Sequence, residues 1–212
     1  DSADQAFGFF IRDTTVRAYH FSNDSNTGYS LSEGRWDHLV LTYDGSTSRT
    51  YINGNLEDSF NSGTLNTGST RLAIGANESL IKESDCRFSD VRIYDKALSN
   101  SEINQLYDPK SVNLDRGLVG HWSMDDSDVS GGTLYDRSAF DNHGNIIGST
   151  TSSDSLVGTT SIDHSSSNSD RIEFPDGTIP SGTDPRTTSA WFKVSNDGRR
   201  QMIFGVADGS KG

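Results

Sequence analysis

One loop gathers oxygen donors of the kind a hard cation takes. It is "YDRSAFDNHGN", residues 135–145, with Asp136, Asp141, Asn142 and Gly144 close together. Calcium is held by carboxylates, amide side chains and backbone carbonyls collected by a tight turn. The same residues have a second use, in which Asn142 and Gly144 make the turn, Asp136 caps it and no ion is involved. A further acidic loop, "MDDSDVSGG", carries Asp125, Asp126 and Asp128. It lacks the ligand order of an EF-hand and reads as a solvated charge run. The histidines, at 20, 38, 121, 143 and 164, show no zinc-ligand spacing with the single cysteine, Cys86. That cysteine, in an apolar strand pattern, reads as a small core residue, and no intrachain disulfide is available. No Ser, His and Asp set is marked by a nucleophile elbow.

The elements that must position these residues are strands. "AFGFFIR", "TVRAYHF", "WDHLVLTY", "RTYIN", "RLAIG", "FSDVRIY", "LVGHWSM", "RIEF", "TSAWFKV" and "QMIFGV" are short, rich in aromatic or β-branched residues, and bounded by Gly, Asn, Asp or Ser. This is the pattern of a β-sandwich. In "FSDVRIY", Val91 and Ile93 fall on one face and Asp90, Arg92 and Tyr94 on the other, so one face is core and the other is available. Asp44-Gly45 and Asn53-Gly54 supply the turns of a run of three antiparallel strands. One helix is expected, in "LSNSEINQLYD", where Ser99 and Glu102 form a capping box. It is placed at the end of the sandwich. The Ser- and Thr-rich stretch 149–170 reads as a long surface loop around one edge strand in preference to a flexible linker.

The order "GRWDHLVLTYDGSTSRTYINGN", "RLAIGAN", "FSDVRIYDKALSNSEINQLYD" resembles the second half of a laminin-G-like domain of the concanavalin A-like lectin/glucanase superfamily. "GLVGHWSMDD", "LYDRSAFDNHGNIIG", "DRIEFPDG", "TTSAWFKV" and "QMIFGVADGSKG" resemble the first half of the same pattern, yet follow it in the chain. The resemblance implies an all-β, concanavalin A-like jelly roll of two antiparallel sheets with one short helix. It divides the chain into a second half at 1–108, a linker at 109–116 and a first half at 117–212. These are either one permuted domain or halves of neighbouring repeats that complete their sandwiches with one another. With residue 212 placed before residue 1, the last and first strands read as one hairpin.

The resemblance also implies a calcium site near the start of the closing strand, with Asp136, Asn142 and Asp90 as the matching positions. Relatives that hydrolyse glycosides carry a Glu-x-Asp-x-x-Glu pattern, but "IKESDCRF" has Phe88 where its last acid belongs, so no catalysis is expected. "SNDGRRQMIF" likewise carries only part of a sialidase Asp-box. Glycan binding would need an exposed aromatic, whereas Trp36, Trp122 and Trp191 all sit in strand patterns and read as core.

The formal net charge is −12, with 24 Asp against 6 Glu and 13 Arg against 5 Lys. Such a surface disfavours nucleic acid and anionic membranes, and no run approaches a membrane span. Asp excess with scarce Lys fits either a halophilic protein or an acidic extracellular one. The sequons at Asn23 and Asn77 are candidate glycosylation sites. The expectation is a non-catalytic extracellular or cell-surface module for adhesion or self-assembly, whose partners are other copies and possible glycans. The alternatives are a carbohydrate-binding module of a large secreted glycosidase and a structural protein of a virus or surface appendage.

Overall fold

The computed structural model describes residues 6–20, 24–68, 72–76, 84–108, 114–195 and 200–207. In chain order the strands are β1 (Ala6–Arg12), β2 (Thr15–Tyr19), β3 (Ser25–Ser30), β4 (Trp36–Tyr43), β5 (Thr47–Ile52), β6 (Asn55–Asn61), β7 (Ala73–Ile74) and β8 (Cys86–Tyr94). Helix α1 (Asn100–Tyr107) follows. Then come β9 (Leu118–Trp122), β10 (Val129–Ser130), β11 (Thr133–Leu134), β12 (Gly144–Ile147), β13 (Thr150–Ser152), β14 (Ser161–His164), β15 (Arg171–Glu173), β16 (Arg186–Val194) and β17 (Gln201–Ala207).

These strands form two antiparallel sheets, as the sequence pattern predicts. One runs β10-β11-β12-β15-β7-β17-β1-β2-β3 and the other β13-β14-β8-β16-β4-β5-β6, with β9 pairing the C-terminal part of β8. Alternation decides what enters the space between them: β4 sends in Leu39, Leu41 and Tyr43, β16 sends in Ala190, Phe192 and Val194, and β1 contributes Phe7, Phe9 and Ile11. The turn residues act as expected. Asn53 and Gly54 both take positive φ between β5 and β6, and the Asp44 side chain accepts from the Ser46 and Thr47 amides before β5.

The strands of the two chain halves are interleaved in both sheets. β16 lies between β8 and β4. β17 pairs β1 from Ala6 opposite Ala207 to Ile11 opposite Gln201. The first and last strands among the described residues thus lie side by side in one sheet. The two backbones approach closely at Gly8, which faces Gly205. A Cβ built on Gly8 would lie against the Phe204 carbonyl oxygen and 2.9 Å from Gly205 Cα. The Ser- and Thr-rich stretch contributes β13 and β14 and so belongs to the sandwich edge.

The placement of α1 differs from the sequence reading. Its capping box forms between Ser99 and Glu102, but it lies across the outer face of the second sheet. There Leu98, Ile103 and Leu106 cover Val40, Tyr51 and Tyr94. The face of β8 that alternation leaves available is thus buried at Tyr94, because the apolar side of the helix needs a partner and this face supplies one. Among the described residues, no helix is long and apolar enough to cross a membrane.

Candidate functional site

The loop 135–145 is wound around one carboxylate. Asp136 Oδ1 accepts from the His121 and Ser138 amides, both at 2.8 Å. Its Oδ2 accepts from the Asn142 amide at 3.0 Å and from Ser138 Oγ at 2.6 Å. Trp122, fully buried on β9, donates its indole N–H to the Asn142 carbonyl at 2.9 Å. Asn142 Nδ2 donates to the Val119 carbonyl at 2.9 Å. The left-handed residue of the turn is Asp141, at φ 54°. Gly144 is required for a different reason, since a Cβ there would sit 2.7 Å from both Ile172 Cγ2 and Phe174 Cε1.

Asp90 joins the same region from β8. It stands at φ 50°, and its Oδ1 accepts from His121 Nε2 at 2.8 Å and Arg92 Nε at 3.1 Å. Burial alone would raise its carboxyl pKa. The bonds and charges of His121 and Arg92 outweigh that and hold it below the ordinary carboxylate value. Two of the three positions matched to calcium ligands meet one residue, His121, whose amide bonds Asp136 and whose ring bonds Asp90, while the third, Asn142, donates its amide to Asp136.

That donor set does not fit a cation. All four bonds on Asp136 come from N–H and O–H groups, whose positive ends point at the place an ion would occupy. Both bonds on Asp90 come from side chains that bring positive ends of their own. Among the described residues, no group of three or more His, Cys, Asp or Glu side chains could hold a metal ion. Two results follow. EDTA or excess Ca2+ is expected to leave the melting temperature within about 1 °C, because the carboxylate oxygens of this loop are already taken by amide and hydroxyl donors. Asp136→Ala, which leaves the His121, Ser138 and Asn142 amides without this acceptor, is expected to cost about 2 kcal/mol in urea titration. A large EDTA effect would restore the cation reading.

Asp125 behaves in the same way. Its Oδ1 accepts from the Thr159 and Thr160 amides at 2.7 and 2.9 Å. It is a buried clip on the loop 153–160, which corrects the reading of that acidic run as merely solvated. Asp126 stays exposed.

Beside the loop 135–145 lies an open cleft of about 390 Å3 lined by His143, Asn145, Glu173, Phe174, Pro175 and Asp176. His143 Nδ1 accepts from the Asp136 amide at 3.2 Å, so the neutral ring carries its proton on Nε2. Tyr135 stands edge-on to His143 with ring centres 4.8 Å apart. Glu173 is paired with Arg171 at 2.8 Å. Tyr135 is 44% exposed and Phe140, on the same loop, 59%. The sequence reading did not find this cleft. The available signal was that Tyr135 and Phe140 are aromatics inside a turn-rich loop, where no core demands them.

The remaining candidates lie elsewhere. His38 Nε2 is 2.8 Å from Ser189 Oγ, but both are buried and the imidazole ring packs against Trp191, on which Tyr107 stacks. Trp122 and Trp191 are buried, whereas Trp36 is half-buried and donates to Asp154 at 3.3 Å. Cys86 is buried in the core beside Ser84. Asn23 and Asn77 lie outside the described residues.

Residues 1–104 match a family model, Laminin_G_3, described as the concanavalin A-like lectin/glucanases superfamily. Laminin-G-like domains are generally non-catalytic binding modules. No curated protein and no solved structure gives a match.

Proposed function

From a two-sheet sandwich whose residues 1–104 carry a laminin-G-like match, we propose a non-catalytic binding module of an extracellular or cell-surface adhesion system. It engages its ligand at the cleft beside the loop 135–145. One observation carries this reading. Of the five exposed large hydrophobic side chains among the described residues, two, Tyr135 and Phe140, stand on this single loop. Scattered exposed rings are ordinary. Two on a loop held rigid by a buried carboxylate, next to a polar cleft, make a recognition surface whose ordering cost is already met by the fold.

The test is binding of labelled protein to an extracellular-matrix extract and to a mixed glycan array. The double variant Tyr135→Ser/Phe140→Ser is compared with the wild type, and circular dichroism confirms its fold. At least tenfold weaker binding is expected, the effect of about 1.4 kcal/mol; unchanged binding would sink the proposal. The pairing of β1 with β17 favours a second reading, assembly by exchange of halves between copies, because two halves that meet within one chain can equally meet between two. Light scattering on the same preparations separates the readings. A monomer at all concentrations favours recognition alone, and concentration-dependent multimers favour assembly.

A further inference from the structure

We infer that the turn 175–178 is a site of spontaneous covalent modification, at which Asp176 converts to isoaspartate through a cyclic imide closed by the Gly177 nitrogen. Such closure has three requirements. The amide nitrogen of the next residue must be free to reach the aspartate Cγ, that residue must leave room for a five-membered ring, and the carboxyl must be free to turn. Glycine leaves the most room, since it has no Cβ. Three Asx-Gly pairs lie among the described residues: Asp44-Gly45, Asn53-Gly54 and Asp176-Gly177. The first two are held. The Asp44 carboxylate accepts from the Ser46 and Thr47 amides and from Arg49 Nη1 at 2.7 Å. Burial would raise its pKa, but those bonds outweigh it and set the value at about 2, so the neutral carboxyl that loses water is scarce. Asn53 accepts from the His38 amide at 2.9 Å and donates to Asp37 Oδ1 at 2.7 Å and to the Tyr29 hydroxyl at 3.2 Å.

Asp176-Gly177 meets all three requirements. Both residues are exposed, and among the described residues no hydrogen bond or ion pair fixes the Asp176 carboxylate. The turn is closed by Thr178, whose amide and Oγ1 donate to the Pro175 carbonyl at 3.4 and 2.7 Å, so the Gly177 amide is not spent on it. Gly177 stands at φ 81°, and a Cβ there would meet nothing within 4 Å, so the ring has open space. In the reaction the Gly177 nitrogen bonds to Asp176 Cγ and gives up its proton, the C–OH bond of the protonated carboxyl breaks, and one water leaves. Water then adds to the imide. Opening at the α carbonyl joins the chain through the former side chain, with one extra methylene in the backbone and the α carboxylate set free. Atoms and charge are unchanged overall, and water is the only co-reactant. Because Asp176 lines the cleft beside the loop 135–145, the product has a longer cleft rim and a displaced carboxylate.

The experiment is incubation of the folded protein at neutral pH in water enriched in the heavy oxygen isotope, then tryptic digestion in ordinary water and mass spectrometry. Cleavage after Arg35, Arg49, Arg71, Arg171 and Arg186 places the three pairs in separate peptides, 36–49, 50–71 and 172–186. Peptide 172–186 is expected to take up one heavy oxygen, and to become a substrate for an isoaspartyl methyltransferase, at least about ten times faster than the other two. In urea, where the bonds on Asp44 and Asn53 are gone, those two peptides are expected to react as well. Asp176→Glu, whose ring would need six members, is expected to abolish the signal. Gly177→Ala, at an exposed turn, is expected to slow it about tenfold with the fold intact by circular dichroism. Labelling of 172–186 no faster than of 36–49 in the folded protein would overturn the inference, and so would a signal that persists in Asp176→Glu.

Discussion

Gly8→Val is expected to lower the stability of the fold by about 3 kcal/mol, the upper end for overpacking, and to open the contact between its first and last strands. The reason is local. At Gly8 the β1 backbone runs so close to β17 that any Cβ meets the Phe204 carbonyl and the Gly205 Cα, and backbone atoms cannot move aside as the end of a side chain can. Neighbouring Phe7 and Phe9 anchor the same strand in the core, so the strand cannot retreat without exposing them. Gly205→Ala supplies the contrast. It faces Gly8 in register, but its Cβ would meet only Met202 Cε, at 2.9 Å. Its expected cost is about 1 kcal/mol or less, because the methyl end of a methionine can swing away. Urea midpoints check both, and limited proteolysis of Gly8→Val should release β1 first. Equal effects from the two substitutions would show that close approach at Gly8 is not what holds the seam.

Acid is expected to unfold the protein well above the ordinary carboxylate range. Three buried histidines are held neutral. Burial, reinforced by the Arg186 charge, lowers the His20 pKa to about 4. Burial, opposed by the Asp90 charge and aided by Arg92, lowers His38 to about 3. Burial lowers His164 to about 4. One nitrogen on each ring has no hydrogen-bond partner, so a proton placed there would have no partner either. All three pKa values lie below the unfolded value of 6.5, so below that pH the unfolded chain binds more protons than the folded one. Stability is whole above pH 6.5 and falls as the pH drops toward 4, by at most about 4 kcal/mol per pH unit when all three sites contribute. Against a total of about 5–15 kcal/mol, unfolding near pH 5 is the expected outcome. Urea titrations between pH 7 and 5 read the slope directly. A slope near three protons supports the account, His164→Gln should remove about one of them, and a flat profile would refute it.

The parts of the fold legible in the sequence are those set by local rules. Strand alternation in "WDHLVLTY" and "TSAWFKV", the Asn53-Gly54 turn and the Ser99–Glu102 box each depend on a few adjacent residues, and each appears as read. What escaped depends on tertiary pairing. The resting place of α1 is chosen by an apolar patch made of Val40, Tyr51 and Tyr94, from three different strands. Arg186 looks like a surface residue in "TDPRTTSA", yet it is buried between the rings of Phe7 and Tyr43, with Thr67 Oγ1 and the carbonyls of Pro180, Gly182 and Asp184 around its guanidinium.

The candidate site shows the same division. Asp136, Asn142 and Asp90 stand in one region, linked through bonds of His121 and Asp136, and their hydrogen-bond partners were not legible in the sequence. The same carboxylate can bind a cation or cap a loop, and the choice turns on which atoms point at it. Only the backbone path, with the amides of His121, Ser138 and Asn142 aimed inward, tells the two apart.

The pairing of β1 with β17 also sets a constraint on synthesis. During translation β1 is made long before its partner β17, so this interior strand of one sheet waits with an open edge while the rest of the described chain is made. At ribosomal rates that wait is on the order of ten seconds or more. Through that interval Phe7, Phe9 and Ile11 have no completed core to enter. The exposed edge of β1 is therefore closed only by a strand made about 190 residues later in the chain.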